Sequence, residues 1–161
     1  MIVGQRLGLK VGNVAFLIER IAYRPLRKKP RIIALITAIG LGAIDRFADL
    51  SGDRFALHLS DETARDLGFP RRVAHGLLVL SLIDGLKNTA PAQVRAVASL
   101  GWDIRFSAPV LVDDVIQAVF TIEAKRLSRD GNRGIVTLGV EARNQDGAII
   151  QQGSTTLMMQ P

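Results

Sequence analysis

The sequence predicts an α+β fold in which one long buried helix packs on a face of an antiparallel sheet. Two observations predict it. Val73 to Lys87 is apolar on nearly every side, with Val73, Leu77, Leu80 and Leu86 mixed among Leu78, Val79, Leu82 and Ile83, the pattern of a buried helix. From Val94 onward the character changes to strands: Val94–Ser107, Val115–Leu127, Gly134–Asn144 and Ala148–Met158 each carry β-branched or alternating apolar residues.

The elements follow in order. Residues 1–30 form a basic arm ahead of a domain over residues 31–161. In the arm, Val14 to Ile21 is apolar enough for a short helix or a strand, and periodicity does not separate them. Arg24-Pro25 and Lys29-Pro30 keep the chain locally extended. Arg31 to Ile39 is rich in β-branched residues and reads as a buried strand, which Gly40 and Gly42 break. Ala43 to Leu50 follows as a short amphipathic helix, with Gly52 suited to a positive-φ stop. Asp53 to Leu59 reads as a loop. Ser60 is a good N-cap, with Asp61 and Glu62 in the first turn of a helix that ends at Gly68. Asn88 and the Ala90-Pro91 step end the long helix. Turns at Pro109 to Asp114, Ser128 to Arg133 and Gln145 to Gly147 link the four later strands, which are expected to form a meander.

The chain has 161 residues, enough for one domain with a real core. An apolar content of 48% and a mean hydropathy of +0.22 exceed what one small domain hides, which predicts contact with a second copy. Leu77 to Ile83, among the longest apolar runs, falls well short of a membrane span. The chain has no Cys, hence no disulfide and no thiolate metal site, in keeping with a reducing, cytoplasmic setting. Neither a Gly-rich phosphate loop nor a pair of histidines at metal spacing is present, so no metal and no cofactor are expected. The net charge of +6 resides in the arm, where seven Lys and Arg side chains face Glu19 alone. Such an arm attracts phosphates or an acidic partner, or is simply a solvated lead-in. It lacks the apolar core and small-residue cleavage site of a secretory signal. Its only aromatics are Phe16 and Tyr23, too few to stack bases, which argues against nucleic acid.

The chemistry-bearing residues cluster between Phe47 and Gly85, which hold both histidines, His58 and His75. Asp53 and His58 flank a segment that starts with Gly52, so one loop can turn a carboxylate and an imidazole into one cavity. Such a pair moves protons in both directions near neutral pH. Alternatively, Asp53 caps a turn and His58 is a core histidine, and spacing alone does not choose. Gly76 falls at the start of the long helix, where its N–H has no intrahelical acceptor and the helix dipole adds positive charge. It is either an anion donor or a glycine needed for close packing.

Phe47-Ala48, Ser51-Gly52-Asp53, His58 and Ala74-His75-Gly76, followed by Arg105-Phe106 and Ala108-Pro109-Val110, resemble the MaoC-like (R)-specific enoyl-CoA hydratases, over roughly Ile36 to Met158. The resemblance implies a hot-dog fold, a curved antiparallel sheet wrapped around a long central helix, usually paired as a homodimer. It implies a lyase of fatty acid metabolism that adds water to a trans-2-enoyl thioester of coenzyme A or a carrier protein. Asp53 and His58 match its catalytic pair, Gly76 its oxyanion donor, and His75 a residue behind the site. Two departures bear on the substrate. Phe55-Ala56 stands where the best-known members carry Asn-Pro, as in the nodulation-protein-N-like branch, and Asp84 stands where some carry Ser. Phe55, His75, Asp84 and Arg105 are thus the expected substrate-facing residues, with Arg71 and Arg72 as further phosphate partners or a charged loop edge. Hot-dog folds also host thioesterases and non-catalytic acyl-CoA-binding modules, and these remain alternatives.

Overall fold

The computed structural model describes residues 31–88, 90 and 94–160, so the expected element at Val14 to Ile21 lies outside the described residues. The chain runs through β1 (Arg31–Ala38), α1 (Leu41–Ser51), α2 (Ala56–Leu59), α3 (Asp61–Asp66), α4 (Gly76–Lys87), β2 (Ala96–Phe106), β3 (Val115–Leu127), β4 (Gly134–Arg143) and β5 (Ile149–Met159). The five strands form one antiparallel sheet in the order β1-β3-β4-β5-β2, and α4 packs on β1 and β3. This is the long helix on an antiparallel sheet that the hot-dog resemblance implies.

Four expectations are corrected. The later strands are not a four-strand meander: β3, β4 and β5 are, but β2 pairs with β5 at the far edge. The segment from Ser107 to Asp114 crosses the molecule instead of turning back as a hairpin. Ser107 N–H bonds the Ile150 carbonyl at 2.8 Å, Ala74 N–H bonds the Val110 carbonyl at 2.7 Å, and Asp113 N–H bonds the Ile39 carbonyl at 2.8 Å. It thus runs from the β5 edge, past the start of α4, to the end of β1. The same bonds shorten the long helix, since Val73 bridges Leu111 and Val73 to His75 are drawn into extended backbone. Nor is α4 buried all round. Val79 and Ile83 are fully buried, each worth about 1.5–3 kcal/mol, but Leu77 is 60% exposed because the sheet covers one side only.

The core lies between α4, α1 and the inner sheet face, with Ile39, Ile44, Val79, Ile83, Ile116, Phe120, Leu138, Ile150 and Leu157 almost wholly enclosed. Phe120, Ala118 and Ile116 alternate inward along β3, which sends Val119, Thr121 and Glu123 to the other face. The crossing segment is pinned by Asp114, which is buried yet well supplied with donors. Its carboxylate accepts from Leu111 N–H at 2.9 Å, Gln145 Nε2 at 3.0 Å and Arg71 Nη2 at 3.2 Å. Paired this way, a buried carboxylate holds a loop rather than destabilising it.

Candidate active site

Helix α1 ends as the sequence expects. Gly52 takes a left-handed conformation (φ 76°, ψ 0°) and its N–H closes on the Ala48 carbonyl at 2.9 Å. The reversal delivers Asp53, whose N–H is held by Ser51 Oγ at 3.2 Å while Ser51 Oγ donates to the Phe47 carbonyl at 2.6 Å. Asp53 Oδ1 accepts from Phe55 N–H at 3.3 Å, a small side-chain turn. The turn-capping reading of Asp53 is therefore realised, and it leaves the other carboxylate oxygen without a partner among the described residues. The expected loop over Asp53 to Leu59 is in part helical: α2 is a single turn carrying His58, closed by Ser60 N–H on the Ala56 carbonyl.

His58 Nδ1 lies 2.7 Å from the Val73 carbonyl. A carbonyl only accepts, so Nδ1 carries the hydrogen and Nε2 is left with its lone pair. His75, only 2% exposed, places Nε2 at 2.9 Å from the Asp53 carbonyl and is by the same argument the Nε2–H form. It ties the start of α4 to the Asp53 backbone from behind. Its Nδ1 is buried with no partner among the described residues. The two imidazoles stack at 3.8 Å, with Phe47 tilted against His75 and Phe55 edge-on to His58. One ring nitrogen of each histidine and one Asp53 oxygen lie within 4.8 Å of one another. Spacing offered no such histidine pair; the fold makes one by stacking α2 on the lead-in to α4. The trio is close enough to share one water, and as donors the three would also suit a divalent cation.

Beside them opens a cavity of about 350 Å³ walled by Ala74, Val79, Pro109 and Val110, with His58, Gly76, Phe106 and Gln151 in its lining. Asp53 does not line it; it meets the histidine pair from the exposed side. Gly76 is the first residue of α4, and the Phe106 ring lies against it so closely that a Cβ there would come 2.6 Å from the ring. Both readings of Gly76, close packing and a free helix N-terminal N–H, thus apply to one residue.

The other expected residues lie apart from this cavity. Phe55 is exposed at the rim of His58. Asp84, on α4, accepts from the buried Lys87 at 2.5 Å and does not line the cavity. Arg105 is on the wrong face: Phe106 reaches the site, so its neighbour in the strand points away, into a broad polar depression of about 680 Å³ with Asp103, Glu123 and Glu141. Arg71 is engaged by Asp114 and the Val112 carbonyl, and Arg72 by Asp45 and Asp61. Gln151 was not foreseen. Counting back by twos from the buried Met159 and Leu157 puts Thr155 and Gln151 on the inner face, a signal available in the sequence.

Residues 24–144 match the protein family described as MaoC like domain. An (R)-specific enoyl-CoA hydratase from Aeromonas caviae is 30% identical over 120 residues, which is 74% of this chain and 86% of that protein. The solved structure of the (R)-hydratase from A. caviae involved in PHA biosynthesis superposes with a TM-score of 0.72 at 28% identity, over 85% of this chain and 99% of that one. A monoamine oxidase regulatory protein from Archaeoglobus fulgidus gives a TM-score of 0.75 at 28% identity, over 88% and 96%. No described helix is long and apolar enough to cross a membrane.

Proposed function

The chain belongs to the MaoC-like domain family, and from that premise we propose that it is a hydro-lyase acting on trans-2-enoyl thioesters of coenzyme A or a carrier protein. It adds water reversibly to give the (3R)-3-hydroxyacyl thioester. The observation that carries this reading is a ring nitrogen of His58 and a carboxylate oxygen of Asp53 within 4.8 Å of each other, next to the start of α4, with His58 oriented by its Nδ1 on the Val73 carbonyl.

A water hydrogen-bonded to two groups at ~2.8 Å each can bridge polar atoms up to about 5.6 Å apart, so the 4.8 Å trio is within its span. His58 Nε2 draws one hydrogen from that water and Asp53 accepts the other. The water oxygen bonds to C3, the π electrons move toward the thioester, and C2 takes a proton from the protonated member of the pair on the same face. Charge gathering on the thioester oxygen meets the Gly76 N–H and the positive end of α4. No cofactor enters this step, because water is the co-substrate, the side chains carry one proton from it to C2, and the other stays on the new 3-hydroxyl. The apolar walls of Ala74, Val79 and Val110 suit an acyl group.

The test follows enoyl-thioester absorbance with crotonyl-CoA while titrating free thiol. Loss of absorbance without thiol release is the expected result. Thiol release at the same rate would make the protein a thioesterase, and no change in either would leave a binding module.

A homodimer belongs to the same proposal. β2 is an 11-residue edge strand whose outer side pairs with no strand among the described residues, with Val97 and Leu100 exposed on it and Leu77 exposed on α4. Such an edge normally finds a cover. Sedimentation at micromolar concentration should give twice 17.5 kDa, and Leu100→Lys should shift it toward the monomer. A wild-type monomer under those conditions removes the dimer from the proposal.

A further inference from the structure

The sheet face turned away from α4 carries the broad polar depression of about 680 Å³, and no step of the hydration uses it. Its floor is a single row of cross-strand neighbours. Thr121 of β3 pairs with Gly139 of β4, Gly139 with Ser154 of β5, and Ser154 with Asp103 of β2. Gly139 leaves the middle of that row without a side chain, and the Glu123 carboxylate lies over it, where a Cβ on Gly139 would collide with Glu123 Oε1. Glu123 and Asp103 are exposed, and neither meets a cation among the described residues. Glu141 is the third carboxylate and shares Arg143 at 2.9 Å. Against these three, the described lining holds one cation, Arg105. The recess is therefore open, acidic and matched to a basic chain.

The sequence delivers such a chain to its rim. β1 begins at Arg31, whose partner is Thr121, the end of the floor row. The residues that lead into it, outside the described ones, are Arg24 to Pro30, with four cations and no acid between Arg24 and Lys29. Pro30 lacks the N–H that would carry the β1–β3 ladder past Arg31. At ~3.3 Å per residue, the six residues from Arg24 to Lys29 cover about 20 Å when extended, more than the ~14 Å across three strand gaps from β3 to β2. We propose that the basic arm docks in this depression of its own chain, with Arg24, Arg27, Lys28 and Lys29 against Glu123, Glu141 and Asp103. The arm's charge then meets an internal partner instead of phosphate or another macromolecule. Docking takes place on the face opposite the cavity, so His58 and Gly76 stay uncovered. Exposed ion pairs are individually weak and screened by salt, so the arm is a latch that ionic strength releases. This inference stands apart from the hydratase reading.

The experiment couples lysine amines to carboxylates with a zero-length carbodiimide in the full chain. Unlabelled and heavy-isotope-labelled protein are mixed beforehand, and the joined peptides are mapped by mass spectrometry. Lys28 or Lys29 should be joined to Glu123, Glu141 or Asp103, in pairs of a single isotope. Raising NaCl from about 0.05 M to about 0.5 M should lower that yield several-fold. Asp103→Asn combined with Glu141→Gln should lower coupling at the retained Glu123 by about threefold or more. A role of Glu123 confined to its own strand would leave that yield unmoved. Joined pairs of mixed isotope would give the depression to the arm of a second copy. Arm lysines joined only to acids elsewhere, such as Asp130 or Asp146, or to none, would leave the arm undocked. Each of these results, or a Glu123 yield untouched by the charge variant, overturns the inference. The wild-type map decides the matter even if the variant does not fold.

Discussion

Asp53→Asn and His58→Gln each lower hydration of crotonyl-CoA by about 10²-fold or more, and the double variant is little worse than either. Both substitutions spare the scaffold. Asn keeps an Oδ1 for the Phe55 N–H, and the His75 bond falls on the Asp53 main chain, which no side-chain change removes. Gln keeps a donor for the Val73 carbonyl. His58→Ala should show the same kinetic loss but also strand that carbonyl, costing about 1–3 kcal/mol of stability, so a lower melting temperature for Ala than for Gln is part of the expectation. The non-additivity comes from the single water. Once one acceptor is gone, the other holds a water that is no longer shared, and removing it takes away little more. Losses that multiply in the double variant, or wild-type turnover in His58→Gln, would show that the two groups do not act on one water.

The legible part of this molecule was local. Gly52 as a left-handed stop, Ser60 as a cap accepting from Thr63 N–H, and the strand runs at 115–127 and 134–143 all follow from residue type and period. The illegible part was long-range. Nothing in Val94 to Ser107 says that β2 pairs with β5 rather than β3, because alternation fixes a face and not a neighbour. Helix amphipathicity failed at Leu77 for a related reason: an apolar residue states that it wants cover without saying whether its own chain supplies it. At the site, the order Asp53, His58, Gly76 was readable. The stacking of His58 on His75 was not, since it depends on the extended lead-in from Val73 to His75, which the helix pattern had absorbed. Arg105 was assigned from its charge and its place in the Arg-Phe match to the family, where the strand period through Phe106 would have sent it outward.

Gly76 carries two requirements at once, and a set of four variants separates them. Gly76→Ala places a Cβ 2.6 Å from Phe106 Cε2 and 2.8 Å from Cδ2, so the ring must leave. Phe106 is 51% exposed and can swing, so the expected cost falls on activity more than on the fold, as the displaced ring disturbs the cavity it lines. Phe106→Ala makes room, and Gly76→Ala combined with Phe106→Ala should recover to the level of Phe106→Ala alone, because the backbone N–H is still present. Gly76→Pro combined with Phe106→Ala is the decisive member. Proline is well tolerated at the first helical position, where the missing N–H had no intrahelical acceptor. His75, at φ −57° and ψ 132°, already has the backbone that a residue before proline prefers. The fold should therefore hold while the proposed oxyanion donor is gone, with kcat falling about 10²–10³-fold relative to the Ala pair. Equal rates for the two double variants would reduce Gly76 to a packing glycine. The positive end of α4 would then have to act through Leu77 N–H, the next free donor along the helix, without any contribution from Gly76 itself.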